Sequence, residues 1–233
     1  MKLESGKTES IWMGTANVPG FESLEVNIEC DVCIVGAGIT GLTTAYMLTC
    51  SGKKVVVVDD GSIGGGESAR TTGHITNVID NRYYNIERLH GEEAAKLAAE
   101  SQTEAIKLLR KIISDNSIDC DLADVNGYLI FKPEESSGVL EKEYEACRRA
   151  GIEVNIAAAP PYKALGDYPC LEFPGQGEFH MLKYLSGLAE ALVSKGGKIY
   201  SHTHIKNITD GSLAIAETKD GYRITAGDIV VAT

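Results

Sequence analysis

The turn Gly36-Ala37-Gly38-Ile39-Thr40-Gly41 lies between the apolar run Val32-Cys33-Ile34-Val35 and a helix-like stretch ending near Ser51. A strand that must stop, bend sharply and feed a helix has few solutions. GxGxxG at that junction is the one that turns helix-start amides toward a pyrophosphate. Gly36 permits the tight turn, Gly38 lets a phosphate approach the backbone, and Gly41 lets helix and strand pack closely. Ala37, Ile39 and Thr40 complete the phosphate-facing segment. A second apolar run, Val55 to Val58, ends in Asp59, 23 positions after Gly36. A ribose-reading carboxylate is expected roughly 20 positions on. Asp60 is counted with the same site, its side chain expected toward solvent. Strand, glycines, helix, strand and acid in this order predict a dinucleotide-binding βαβ unit over about 31–59.

The rest of the chain continues an α/β pattern. A loop from Gly61 to His74 is dense in small residues and pliable enough to approach a ligand. A 3.6-residue period predicts a helix from Gly91 to about Asn116. Gly127 to Phe131 reads as a strand, Glu134 to Ala150 as an amphipathic helix stopped by Gly151, and Glu153 to Ala157 as a short strand. Pro160 to Pro174 reads as a proline-punctuated loop. Leu182 to Ser194 is a helix, Lys198 to Ile208 one strand, Leu213–Thr218 and Tyr222–Thr225 a hairpin, and Asp228–Ala232 a further strand. Residues 1–29 read as an extended arm with Trp12 as its large anchor. The expected organisation is therefore an arm over 1–29, a nucleotide-binding domain over 30–118 and 180–233, and a small mixed α/β insert over 119–179.

The net charge of −11 and the pI near 4.9 argue against nucleic acid or an anionic membrane as partner. An anionic cofactor is still allowed, because amides at a glycine turn supply local positive potential. No run approaches the ~18 apolar residues of a membrane span, and Met1 to Val18 lacks an apolar signal core, so a cytoplasmic location is expected. The six scattered cysteines are expected to be reduced. Cys30 and Cys33 spell CxxC, but an odd step along a strand sends their side chains to opposite faces. His202 and His204 lie two apart on the expected strand and lack a third ligand at matching spacing. No paired CxH and CxxH pattern for a Rieske cluster is present.

These pieces resemble the flavin-dependent oxidoreductases of the D-amino-acid oxidase / glycine oxidase superfamily, in the branch whose members often carry a C-terminal Rieske domain. The resemblance rests on DVCIVGAGITGLTTAYML, KVVVVDDGSIGGGESARTTGHIT, RLHGEEAAKLAAES, GQGEFHMLKYLSGLAEAL and GDIVVAT, and runs from about Ser10 to the last residue. It implies a Rossmann-like doubly wound FAD-binding domain carrying part of a substrate domain. It also implies FAD on Gly36, Gly38 and Gly41, its adenosine ribose on Asp59, and Ser68, Arg70, Thr71, Thr72, Gly73 and His74 along the ribityl and isoalloxazine side. Ile205 is the implied adenine contact, and Ala232 lies in the closing turn beside the pyrophosphate. Family members are longer, so the resemblance implies an N-terminal portion, with the rest of the substrate sheet and any Rieske cluster outside this chain.

Some residues keep two readings. Thr71-Thr72-Gly73-His74 imitates a Thr-Thr-x-His sequence that attaches flavin covalently in related dehydrogenases, although a noncovalent loop histidine is preferred. Arg70 suits a phosphate or substrate carboxylate, and equally a tie to surface acids. His180 reads as a helix-start residue, and Tyr128 and Phe131 as core rather than cavity wall. The implied reaction is hydride removal from a C–N bond of an amine or amino acid, for which no acid or base residue is nominated because flavin accepts the hydride itself. The rivals are an inert binding or assembly module, pairing copies through an exposed sheet edge, and a two-domain NAD(P) enzyme.

Overall fold

In the computed structural model the described residues are 9–132 and 138–233. The expected helix residues 134–137 and the first eight residues of the arm lie outside them. The chain divides into two compact units: Met1–Thr72 with Ile112–Cys120 and His180–Thr233, and Gly73–Lys111 with Asp121–Phe179.

The first unit is built on the glycine-turn strand. β1 (Ile28–Val35) leads through the turn into α2 (Ile39–Cys50) and on to β2 (Val55–Val58). The four valines of β2 are all buried, as expected of a parallel strand covered on both faces. Later in the chain come α6 (Met181–Ser194), β7 (Lys198–Tyr200), β8 (Ile205–Thr209), β9 (Ala214–Thr218) and β10 (Arg223–Val231). The sheet order is β7-β2-β1-β10-β9-β8. The first four strands are parallel and the last two add antiparallel. Leu24, Cys33, Val56, Val58, Ala216, Ile224 and Ala226 form one buried cluster of this unit. α2 and α6 contribute Leu42, Ala45 and Tyr46, and Leu185, Leu188 and Leu192, to its interior.

The second unit centres on β6 (Cys170–Glu178). β4 (Ala123–Ile130) pairs along one side of it. β3 (His74–Ile75) and β5 (Asn155–Ala157) pair with opposite ends of the other side. Against this sheet α3 (Tyr83–His90), α4 (Glu92–Asp115) and α5 (Val139–Arg149) supply core residues such as Tyr83, Ala95, Ala99, Ala146 and Cys147.

Four differences from the sequence reading have physical causes. The expected proline loop holds the first half of β6; Pro174 falls at the register shift opposite Val125 and Gly127, where a missing amide breaks no regular ladder bond. The expected strand 198–208 is two strands, interrupted at His202, whose φ is 50°. The strands expected at 222–225 and 228–232 are one. It passes through Gly227, where a β-carbon would sit 3.0 Å from the Asp31 carbonyl oxygen. The arm is not wholly extended, because Ser10 caps a one-turn helix, α1 (Ile11–Thr15), by accepting from Met13 N at 3.3 Å.

The partition also differs from the expected domain boundary. Gly73–Lys111 groups with the second unit, because β3 pairs with β6 and Tyr83, Ala95 and Ala99 lie in that unit's core.

Candidate functional site

β1 and β2 end side by side, and the glycine turn closes over their ends. The Gly36 amide donates to the Val58 carbonyl at 2.8 Å, which fixes the first residue of the turn. Gly36 has φ +113°, and a β-carbon there would lie 2.5 Å from the Ala232 oxygen. A β-carbon on Gly41 would collide with the Gly36 carbonyl. Both positions are therefore closed to side chains by backbone. Gly38, with φ −81°, is strained by neither; a β-carbon there would meet only the Ser68 hydroxyl, 3.1 Å away. Gly38 is open toward a cavity, as a phosphate seat requires.

That cavity has a volume of about 830 Å³ and lies wholly within the first unit. Of the residues singled out from sequence, Gly36, Gly38, Ile39, Thr40, Asp59, Asp60, Ser68, Ile205 and Ala232 line it. Ala37 and Gly41 shape the turn from behind, both being buried. Ala37 N donates to Asp59 Oδ2 at 2.6 Å, and Gly61 N donates to Asp59 Oδ1 at 2.8 Å. Asp59 thus braces the turn as well as facing the cavity. The Ile39 amide donates to the Ser68 hydroxyl at 3.1 Å. Among the described residues, the helix-start amides of Gly38 and Thr40 have no protein acceptor.

The stretch from Ser68 to His74 divides. Arg70 pairs with no acid among the described residues and does not itself line the cavity. Its Nη1 donates to the carbonyls of Gly65 and Gly66, at 3.2 and 2.9 Å, and so ties the loop to itself. Thr71 accepts from the Trp12 indole. Thr72 ends the opening segment of the first unit, whereas Gly73 and His74 belong to the second. His74 is exposed and pairs along β3 with Glu178.

Asp60 is exposed, as expected, and its Oδ2 lies 3.3 Å from His204 Nδ1. Both side chains line the cavity. Their two turns are stitched together: Asp59 N bonds Tyr200 O, Thr203 N bonds Asp59 O, and His202 N bonds Gly61 O, at 3.0, 2.8 and 3.2 Å. His202 and His204 therefore sit on a bend and not on one strand face. The resemblance pointed to the backbone of Thr203 to Ile205, with Ile205 as the contact; the side chains of Thr203 and His204, and Asn207 altogether, were not counted as cavity residues. Thr203 and His204 lie there on the bend bonded to Asp59 and Gly61, and Asn207 follows the register shift in β8; neither a bend nor a bulge has a periodic signature.

His180 is the N-cap of α6, accepting through Nδ1 from Lys183 N at 3.3 Å. Phe131 is core in the second unit, and the Tyr128 hydroxyl donates to Glu172 at 2.9 Å. No disulfide joins any of the six cysteines, all of which are among the described residues. Burial pushes the Cys33 thiol up to about 12, and burial with the nearby Glu143 carboxylate raises that of Cys147 as well, so neither supplies a thiolate near neutrality. Among the described residues no group of three His, Cys, Asp or Glu side chains could hold a metal ion, and no helix is long and apolar enough to cross a membrane.

The chain is 34% identical over 222 residues to the Rieske 2Fe-2S iron-sulfur protein YhfW of Bacillus subtilis, covering 95% of this chain and 43% of that one. It is 30% identical over 232 residues to the gamma-glutamylputrescine oxidoreductase of Escherichia coli, covering 97% and 54%. It thus spans about half the length of these relatives. Among solved structures, glycine oxidase of Geobacillus kaustophilus superposes with a TM-score of 0.72 at 23% identity, covering 88% of this chain and 55% of that one. The L-proline dehydrogenase of P. horikoshii gives 0.70 at 17%, covering 89% and 54%. These two establish the fold. The family described as FAD dependent oxidoreductase (DAO) matches residues 31–233, which takes in the glycine turn, the cavity, the whole second unit and the first unit apart from residues 1–30, and the chain belongs to that family.

Proposed function

We propose that this chain forms the FAD-holding part of an oxidoreductase that removes a hydride from a C–N bond of an amine or amino acid. The observation that carries the reading is Gly38. It is an unstrained glycine at a helix start, opening onto a cavity of about 830 Å³ with two helix-start amides left for a ligand. That volume falls within the roughly 300–1,000 Å³ of small-molecule sites. A dianionic pyrophosphate suits those amides and the dipole of α2.

The residues present fit the cofactor. Gly38, Ile39 and Thr40 would hold the diphosphate, with the Ser68 hydroxyl able to turn from the Ile39 amide toward a phosphate oxygen. Asp59, Asp60 and His204 would face the adenosine ribose, and Ile205 the adenine. When bound, FAD supplies the acceptor for C–N oxidation. The chain's own contribution is to grip, orient and keep water from the reacting face. The relatives' printed activities on gamma-glutamylputrescine, glycine and L-proline support an amine or amino-acid substrate here. The likeness to a Rieske iron-sulfur protein supports electron transfer to a cluster outside this chain.

The test is a titration of the purified chain with FAD, followed by gel filtration. Co-elution of the yellow oxidised-flavin absorbance with protein is expected. A colourless protein that leaves all FAD in the small-molecule fraction overturns the reading, and saturable NADH binding in its place would favour a nicotinamide enzyme.

A further inference from the structure

Trp12, the only tryptophan of the chain, stands on the arm and not in the cavity wall. Its indole N–H donates to the Thr71 carbonyl at 2.8 Å. Its ring meets the His180 imidazole edge-on, with centroids 4.8 Å apart and planes at 64°. His180 fixes the arm a second time. Its Nδ1 accepts from Lys183 N, so the neutral ring carries hydrogen on Nε2 and donates to the Thr15 hydroxyl at 2.9 Å. Thr15 donates in turn to the Ile11 carbonyl at 2.5 Å. The indole is thereby held by a buried histidine on one side and a loop carbonyl on the other.

Behind Thr71 runs the loop that walls the cavity. Gly64 to Ser68 line it, and four glycines in six residues, Gly61 to Gly66, make that wall costly to order. Within the nucleotide-binding unit it is pinned by Gly61 N on Asp59 Oδ1, Gly64 N on the Ala37 carbonyl at 3.0 Å, Ser68 Oγ on the Ile39 amide, and Arg70 on the Gly65 and Gly66 carbonyls, among other bonds. A further pin comes from the arm. Thr71 follows Arg70 directly, so the Trp12 bond fixes the end from which Arg70 reaches back to the glycines.

We infer that Trp12 is a positioning residue for the cofactor, its indole N–H setting the loop wall that holds FAD. The inference rests on the FAD reading above. It makes the arm, which lies outside the βαβ unit, part of the binding machinery. A merely structural anchor would need the ring and not the N–H.

Trp12→Phe separates the two, because it keeps an aromatic ring against His180 and deletes the donor. The dissociation constant for FAD is expected to rise about threefold to tenfold, the worth of roughly one net hydrogen bond. The thermal midpoint of the cofactor-free protein should stay close to wild type. Unchanged FAD affinity overturns the inference, as does a loss of affinity that only tracks a fall in midpoint. Wild-type protein gives a second readout should the variant fail to fold. With nitrogen-15 in tryptophan there is a single indole N–H signal, and coupling is reciprocal. FAD must therefore slow the exchange of that hydrogen with solvent; exchange indifferent to FAD overturns the inference. A wild-type chain that takes up no FAD removes the cofactor reading and this inference together, whereas FAD uptake with an indifferent Trp12 removes this inference alone.

Discussion

Valine at Gly36 brings a β-carbon to 2.5 Å from the Ala232 oxygen on a backbone at φ +113°, so it must both strain and displace the closing turn. Alanine at Gly38 meets only a hydroxyl that can swing away. The two glycines of one motif therefore give opposite outcomes. Gly36→Val is expected to lower unfolding stability by about 2–4 kcal/mol and to abolish FAD uptake. Gly38→Ala is expected to cost less than about 1 kcal/mol while weakening FAD at least about tenfold, because the methyl group occupies the phosphate approach. Urea unfolding beside a flavin titration checks both. Equal stability losses would mean that Gly38 serves packing and not a ligand. That Gly36 and Gly41 are closed to side chains by backbone while Gly38 stays open was legible in the sequence, because it follows from backbone geometry within six residues. The bond from Arg70 to its own loop was not, since an arginine at that position serves a phosphate, an acid or a carbonyl equally well until the fold chooses.

α3 begins without a cap of its own: Arg82 precedes it at φ 60° and makes no side-chain cap bond. The cap comes from another element. Glu143 on α5 is fully buried and accepts from Tyr83 N and Tyr84 N, both at 3.0 Å, placing a carboxylate at the positive end of a helix. Glu143→Ala strands two amides beside the fully buried Tyr83 and is expected to cost about 2–4 kcal/mol. Glu143→Gln keeps an acceptor for one of them and should cost less. Comparing the two urea midpoints decides; equal midpoints would assign the cost to lost volume and not to the cap. Elements whose periodicity is strong, such as α4 and α6, were readable to within a residue or two. β6 was hidden because Pro174 reads as a strand breaker unless a register shift excuses it, and a register shift is a property of two strands together.

Taken whole, the chain keeps buried thiols in each unit, Cys33 in the first and Cys147 in the second. Burial raises both above the ordinary thiol value of 9.0, Cys33 to about 12, with the nearby Cys30 thiol adding a smaller push. The folded state then holds protons that the unfolded chain releases, so stability is full below pH 9 and falls as pH climbs toward about 12. Unfolding free energy measured across that window should decline, and Cys33→Ala should flatten the decline. A variant slope as steep as wild type would deny Cys33 a part. At this scale the sequence by itself determined the glycine turn, the valine strand, the acid at its end and the long helices. Each is written in spacings of a few residues, where dihedral limits and burial periodicity act directly. Only tertiary structure decided that Asp59 braces two amides, that Asp60 meets His204, that Glu143 caps a helix 60 positions away, and that Trp12 holds a loop 59 positions on. Those partners are chosen by which backbone turns the folded sheets bring within hydrogen-bond reach, and no local spacing encodes that choice.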